Sequence, residues 1–246
     1  MFQDLIFDIG ANDGKDSAFY LAKGFHVLAV DADPAMCDKI RQTQAEAIES
    51  GRLTVLNIGI GAETATLPFY VNEFAEWSSF KKNSKATKQL SHTVIEVQMQ
   101  PLSKLIAEHG VPYYLKIDIE GHELGALASL DPTFGLPHLL SFEVNEDWKA
   151  IFDLLEGWDY VEFQLVRQGR GNLYPAPVPA REGRSVMQKF TNGHSGCFGR
   201  DLPDLWQQGA DARPAFDAVL IENHRKRLAG EPADWFDIHA RRAPFR

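Results

Sequence analysis

Apolar residues come in short bursts along this chain, and the first bursts each end in an acid, an amide or a glycine. Leu5-Ile6-Phe7, Phe25 to Val30 and Leu53 to Ile58 show no alternation, which predicts strands buried on both faces, as in a parallel sheet. Between them the period lengthens to that of a helix, through Phe19 and Ala22 first and then through Met36, Ile40, Thr43 and Ala47. Asp33 before Pro34 marks the second helix start, an N-cap acid with proline in the first turn. Three such units in succession make a parallel α/β sheet the economical assignment.

The pattern then loosens. Thr66 to Val71 suits a short strand, and Thr93 to Met99 alternates with the period-two signature of a half-buried one. Between them Asn72 to Gln89 is polar, carries Lys81, Lys82, Lys85 and Lys88, and includes Trp77; a loop of that length is expected to cover a bound acceptor. Leu102 to His109 suits a helix ended by Gly110. Tyr113 to Ile117 reads as a buried strand delivering Asp118, with a helix expected from Glu120 through Leu124, Leu127 and Ala128. Leu139 to Val144 is another buried strand and holds the charge of Glu143. Trp148, Ile151, Phe152 and Leu155 line a helix, and Tyr160 to Val166 alternates again. Beyond it Pro175, Pro177 and Pro179 break regular structure, Val186 to Phe190 is the expected returning strand, and Thr191 to Gly199 is a glycine-rich loop. The chain divides on this reading into a core, 1–166, and a C-terminal extension packed on it, 167–246.

Charge narrows the partners. The net charge of -9 is uneven: 12 basic against 25 acidic residues up to position 166, and 13 against 9 beyond it. An acidic body disfavours nucleic acid, which needs a basic face. Cys37 and Cys197 form no C-x-x-C pair and fit a reducing compartment. No leader pattern opens the sequence and no apolar run has the length of a membrane span, so the cytoplasm is the expected location.

The candidate chemistry sits at the strand ends, where open α/β sheets bind ligands. Gly10 and Gly14 enclose Ala11-Asn12-Asp13, which is not the glycine spacing that cradles a dinucleotide pyrophosphate. Asp8 and Asp13 would repel a diphosphate but suit an amine and a sulfonium, which points to S-adenosylmethionine. On that reading Asp8 orients the turn or meets the methionine amine, the backbone of Gly10, Ala11 and Asn12 approaches the methionine moiety, and Ser17 bonds its carboxylate. Asp31 is placed to accept both ribose hydroxyls. Asn57 and Ile58 are candidates for the adenine edge and face.

Four pieces in this order, Asp8 to Gly14, Val30 to Pro34, Asn57 to Gly61 and Lys116 to Gly121, resemble the FkbM-type family of S-adenosylmethionine-dependent methyltransferases. The resemblance covers about residues 4–146. It implies a Rossmann-like class I methyltransferase fold, a mostly parallel seven-stranded sheet with helices on both faces and an antiparallel last strand. It also implies methyl transfer commonly to a hydroxyl of a sugar or polyketide, that is, a glycan or small-molecule acceptor. Asp31-Ala32 stands where the family often has Glu-Pro, which keeps a carboxylate and puts Ala32 among the expected cofactor contacts. Leu102-Ser103-Lys104-Leu105 lacks an aspartate often seen there.

A sugar hydroxyl is a weak acid, so attack on a methyl group needs a base or a metal that lowers its pKa. Asp118 is the expected catalytic group, at the strand end where cofactor and acceptor would meet. Glu143 is either its neighbour in catalysis or a partner for Lys116, and the two carboxylates together are candidate ligands for magnesium or manganese. His122 is a third catalytic candidate, with His194 and His239 behind it. Two other readings remain: a catalytically silent cofactor-binding module in a biosynthetic complex, and an NAD-dependent oxidoreductase, which the glycine spacing and Asp13 oppose.

Overall fold

The computed structural model describes residues 4–73, 78–81, 91–169, 173–191 and 193–243. The first half alternates strand and helix as β1 (Leu5–Ile9), α1 (Lys15–Ala22), β2 (His26–Asp31), α2 (Pro34–Thr43), α3 (Ala45–Glu49) and β3 (Leu53–Asn57). Next come β4 (Gly59–Ile60), β5 (Ala65–Asn72), β6 (His92–Gln100), α4 (Leu102–His109), β7 (Tyr114–Ile117) and α5 (Glu123–Ala128). The chain continues through β8 (Leu139–Glu143), α6 (Trp148–Glu156), β9 (Tyr160–Arg167), β10 (Gln207–Gln208), α7 (Gly209–Leu228) and β11 (Phe236–Arg242).

The main sheet has the order β10-β9-β11-β8-β7-β1-β2-β3, so a two-residue edge strand joins the seven expected ones. β1, β2, β3, β7 and β8 run parallel, and β11 lies antiparallel between β8 and β9. A smaller sheet, β4-β6-β5, stands beside it. The unalternated bursts are apolar on both faces because helices cover both. Phe7, Leu28, Leu115, Leu140 and Phe142 pack with α4, α5, α6 and α7. Ile6, Val27, Ala29, Tyr114 and Leu139 pack with α1, α2 and α3. Each large side chain buried this way contributes about 1.5–3 kcal/mol.

Several elements differ from the sequence expectation, each for a local reason. The helix expected from Met36 to Ala47 breaks at Gln44, whose side-chain amide leaves the helix line to donate to the Gly14 carbonyl at 2.8 Å. The helix expected from Glu120 starts at Glu123, because Glu120 and Gly121 take positive φ of 54° and 94°. Val186 to Phe190 forms no strand; the antiparallel strand is β11. Helix α7 has no apolar stripe to announce it: only Ala212, Phe216 and Asn223 are buried along its length, and Pro214 lies inside it.

Residues 173–191 and 193–202 lie against α1 and the start of β7. Lys23 Nζ meets Asp201 Oδ2 at 2.6 Å with both side chains buried, and the Ser195 amide donates to the Asp16 carboxylate at 2.9 Å. Buried Glu182 accepts from the Tyr113 hydroxyl at 2.9 Å and from the Arg200 guanidinium at 3.0 Å. Removing Lys23 or Asp201 alone would leave its partner's charge buried, at roughly 3–5 kcal/mol.

Candidate active site

β1 ends in a turn that only glycine can make. The amides of Gly10 and Ala11 both donate to the Val30 carbonyl, at 2.9 and 3.0 Å, which folds the chain back over β2. Gly10 takes a φ of +78°, and a Cβ there would fall 1.7 Å from the Asp118 carbonyl oxygen. The β1 turn and the end of β7 are therefore in direct backbone contact.

A cleft opens above this contact. Gly10, Asn12, Asp31, Ala32, Ile58 and Asp118, all expected at the site, line it. Met36, Ile60 and Phe69 add apolar wall, and Ser78 and Phe80 close one side. Those last two come from the segment 78–81, which docks through the Tyr70–Ser79 backbone pair and a Ser79 Oγ bond to the Glu120 carbonyl at 3.2 Å. Trp77 and Lys82, Lys85 and Lys88 lie outside the described residues.

Asp31 sits at the end of β2 on the cleft wall. Its Oδ2 accepts from the Asn12 amide at 2.7 Å and its Oδ1 from the Asp33 amide at 2.8 Å. Burial pushes its carboxyl up to about 6, against the pull of those two amides. Each oxygen retains a lone-pair site for a further donor. Asp33 caps α2 by accepting from the Ala35 amide, so the capping role is filled separately.

Other expected cofactor residues stand behind the wall. Asp8 is fully buried, accepting from Ser17 Oγ at 2.6 Å and from Lys116 Nζ at 3.2 Å. Ser17 is fully buried with it. Neither side chain reaches the cleft, because both fill the polar interior beneath the turn. Gly14 caps α1 and Ala11 is buried. Asn57 is exposed and braces the β2 turn, donating to the carbonyls of Asp31 and Ala32 at 3.0 Å each.

Lys116 is turned away from Glu143. Its Nζ reaches Asp8 at 3.2 Å, Asp16 at 3.6 Å, Asp118 at 3.8 Å and the Gly10 carbonyl at 3.4 Å. Burial alone would lower its pKa, but Asp8, Asp118 and Asp16 outweigh that and hold it well above the usual lysine value. The ammonium so ties the glycine turn to the end of β7.

Asp118 is half-exposed to the cleft. Glu143 ends β8, directly opposite Asp237 on β11. Burial, and then Asp118, Glu120 and Asp237, push the Glu143 carboxyl well above its usual range. Asp237 is buried and accepts from Gln168 Nε2 at 2.8 Å; burial and Asp118 raise it likewise. Asp118, Glu120 and Glu143 each offer an oxygen within 4.8 Å of one another. Glu120 and Asp237 escaped the sequence reading, although the Lys116-to-Gly121 motif already contained the first.

The histidines lie elsewhere. His122 packs its ring edge-on to Phe80 at 5.5 Å, and burial, then Lys81, lowers its pKa. His239 is buried in β11, stacked on Tyr114, with its pKa pushed down to about 3 by burial. His194 bonds within its own loop to Thr191 and Gln188. None of the three lines the cleft.

A mostly parallel sheet with an antiparallel strand inserted next to its edge, and a cleft across the ends of β1, β2 and β7, is the class I methyltransferase architecture. The Methyltransferase FkbM domain matches residues 8–164. The chain belongs to the FkbM methyltransferase family. Among solved structures it is similar to an FkbM methyltransferase from Methylobacillus flagellatus KT, at 19% identity and a TM-score of 0.46. That match covers 69% of this chain and 40% of the other, so this chain spans about two fifths of its length. A precorrin-6y C5,15-methyltransferase from Geobacter metallireducens GS-15 matches at 11% identity and a TM-score of 0.40, covering 98% of this chain and 80% of the other. An rRNA methylase from Streptococcus thermophilus matches at 13% identity and 0.36, covering 69% and 78%. No curated protein matches significantly. Among the described residues no helix is long and apolar enough to cross a membrane.

Proposed function

We propose that the protein transfers a methyl group from S-adenosylmethionine to a hydroxyl on a glycan or natural-product acceptor. The observation that carries this reading is the Asp31 carboxylate on the cleft wall, with both oxygens fixed by backbone amides and each able to accept once more. That arrangement fits the two hydroxyls of a ribose. Val30, Met36, Ile58 and Ile60 supply apolar wall beside it, fit for an adenine. When bound, the cofactor supplies an electrophilic methyl group on a sulfonium, a good leaving group.

What the chain contributes is alignment and proton removal. Asp118 faces the cleft from the end of β7, where it can take the proton of an acceptor hydroxyl or stabilise positive charge. Glu143, whose carboxyl burial and Asp118 push well above its usual range, lies beside Asp118 at the neighbouring strand end. Asp118, Glu120 and Glu143 favour a second reading by their spacing: they would hold a magnesium or manganese ion, which lowers the pKa of a bound hydroxyl.

Labelled methyl transfer from S-adenosylmethionine to a panel of glycans and small hydroxylated molecules tests the proposal. Label in at least one acceptor, lost in Asp118→Asn, is the expected result. Binding of the cofactor with no transfer to any acceptor would favour a catalytically silent module.

A further inference from the structure

A second, open cleft lies at the same edge of the sheet between the end of β8 and helix α7. Val144 and Phe236 form part of its lining, and their backbones are joined by a 2.8 Å hydrogen bond. The residues beside them, Glu143 and Asp237, face each other across β8 and β11. Val144 directly follows Glu143 and Phe236 directly precedes Asp237, so this cleft opens at the same end of the strands as the first site.

Its most unusual feature is Trp235, 48% exposed yet held on a fixed backbone. Asn223 brackets the preceding residue, donating to the Asp234 carbonyl at 2.7 Å and accepting from its amide at 2.9 Å. Arg227 donates to the same carbonyl, and Arg167 pairs with the Asp234 carboxylate at 2.7 Å. On the other side the Trp235 carbonyl accepts from the Gln168 amide at 2.9 Å. The indole lies over Gly169. An exposed tryptophan on a backbone pinned from both sides costs little entropy to use as a binding platform.

Trp148 and Leu220 add apolar wall, and Asn145, Glu146, Asn223, His224, Arg227 and Asp234 are the polar part of the lining. Glu146 is matched by Lys81 at 3.5 Å, and Arg227 is engaged with the Asp234 carbonyl. Hydrogen-bonding side chains without unbalanced charge, around an aromatic face, suit an uncharged ligand with hydroxyls on its rim and C–H groups on one face. We propose that this cleft seats a neutral pyranose ring of the acceptor, stacked on Trp235. This rests on the methyl-transfer reading and adds the acceptor's subsite.

The test is saturation-transfer NMR on the full chain, with methyl glycosides of glucose, galactose, mannose and rhamnose as probes, with and without saturating S-adenosylhomocysteine. At least one probe should receive saturation, most strongly on the C–H protons of one ring face. Trp235→Ala should weaken its binding at least about fivefold, and Trp235→Phe should retain most of it. His224→Ala, an exposed change on α7, should weaken it by a smaller factor. No saturation of any probe, or wild-type affinity in both Trp235→Ala and His224→Ala, overturns the proposal. Calorimetry with S-adenosylhomocysteine runs separately: adenosyl binding without glycoside binding refutes this subsite alone, whereas absent adenosyl binding refutes the methyltransferase reading, and the glycoside arm still decides the subsite.

Discussion

Gly10 and Asp118 are packed so closely that a single methyl group on Gly10 would fall 1.7 Å from the Asp118 carbonyl oxygen. The contact joins the turn after β1 to the end of β7, so the cofactor wall and the proposed catalytic carboxylate move as one piece. Gly10→Ala is expected to lower stability by at least about 2 kcal/mol, since both backbone strain and a backbone clash oppose it. Chemical denaturation measures this, and an unchanged midpoint would show that the turn can open freely.

Asp31 makes cofactor affinity pH-dependent. Its carboxyl, pushed up to about 6 by burial, must be ionised to accept from two hydroxyls. Affinity for S-adenosylhomocysteine should be flat above that pH and fall as pH drops below about 6. Asp31→Ala should cost about 1–3 kcal/mol of binding at neutral pH and remove the pH dependence. Calorimetry across the range checks both. For folding the sign is opposite: a carboxyl raised in the folded state contributes stability below its unfolded value of 3.8 and loses it as pH rises through about 6.

The same sign governs Glu143, whose carboxyl is pushed well above its usual range by burial and by Asp118. Its stability contribution is full at acid pH and is lost as pH rises through the folded pKa. Glu143→Gln removes that penalty, so thermal melting should show a higher Tm than wild type, with a gap that widens as pH rises. A lower Tm for the variant at alkaline pH would mean that Glu143 is held by a favourable partner.

Lys116→Met strips the ammonium from Asp8, Asp16 and Asp118. Removing one partner of a buried ionic cluster costs about 3–5 kcal/mol, far more than losing a surface pair. Burial already raises Asp16, so acid pH should relieve part of the loss as the carboxyls protonate. Urea unfolding at two pH values gives the comparison.

Asp118→Asn separates chemistry from packing. Loss of a general base should lower kcat by roughly a hundredfold or more, with cofactor affinity nearly unchanged. If the carboxylates instead hold a divalent ion, chelator abolishes wild-type activity and magnesium or manganese restores it. Wild-type turnover in a folded Asp118→Asn protein would remove Asp118 from the chemistry.

The parallel sheet and the strand ends were legible because burial on both faces leaves an unbroken apolar run, and the acid closing each run lands at the ligand edge. Asp31, Gly10 and Asp118, which line the cleft, were placed at that edge by this pattern. The burial of Asp8 beneath the turn was not legible, because its partner Lys116 is 108 residues away and nothing near Asp8 records that an ammonium will meet it inside the sheet. β11 was obscured by Asp237 and His239, polar residues buried where a central strand is ordinarily apolar. α7 was hidden by Gly209, Pro214 and the lack of an apolar stripe. Asp118 and Glu143 were paired as neighbouring strand ends; Glu120 joins them because its φ of 54° keeps it out of the helix expected to begin there.

The most direct measurement is a calorimetric titration of the full chain with S-adenosylhomocysteine, S-adenosylmethionine and NAD, repeated on Asp31→Ala. Both adenosyl ligands should bind the wild type at one site, NAD should give no heat of binding, and the variant should bind the adenosyl ligands more weakly. Saturable binding of NAD with no response to either adenosyl ligand would contradict the assignment of the β1–β2 cleft.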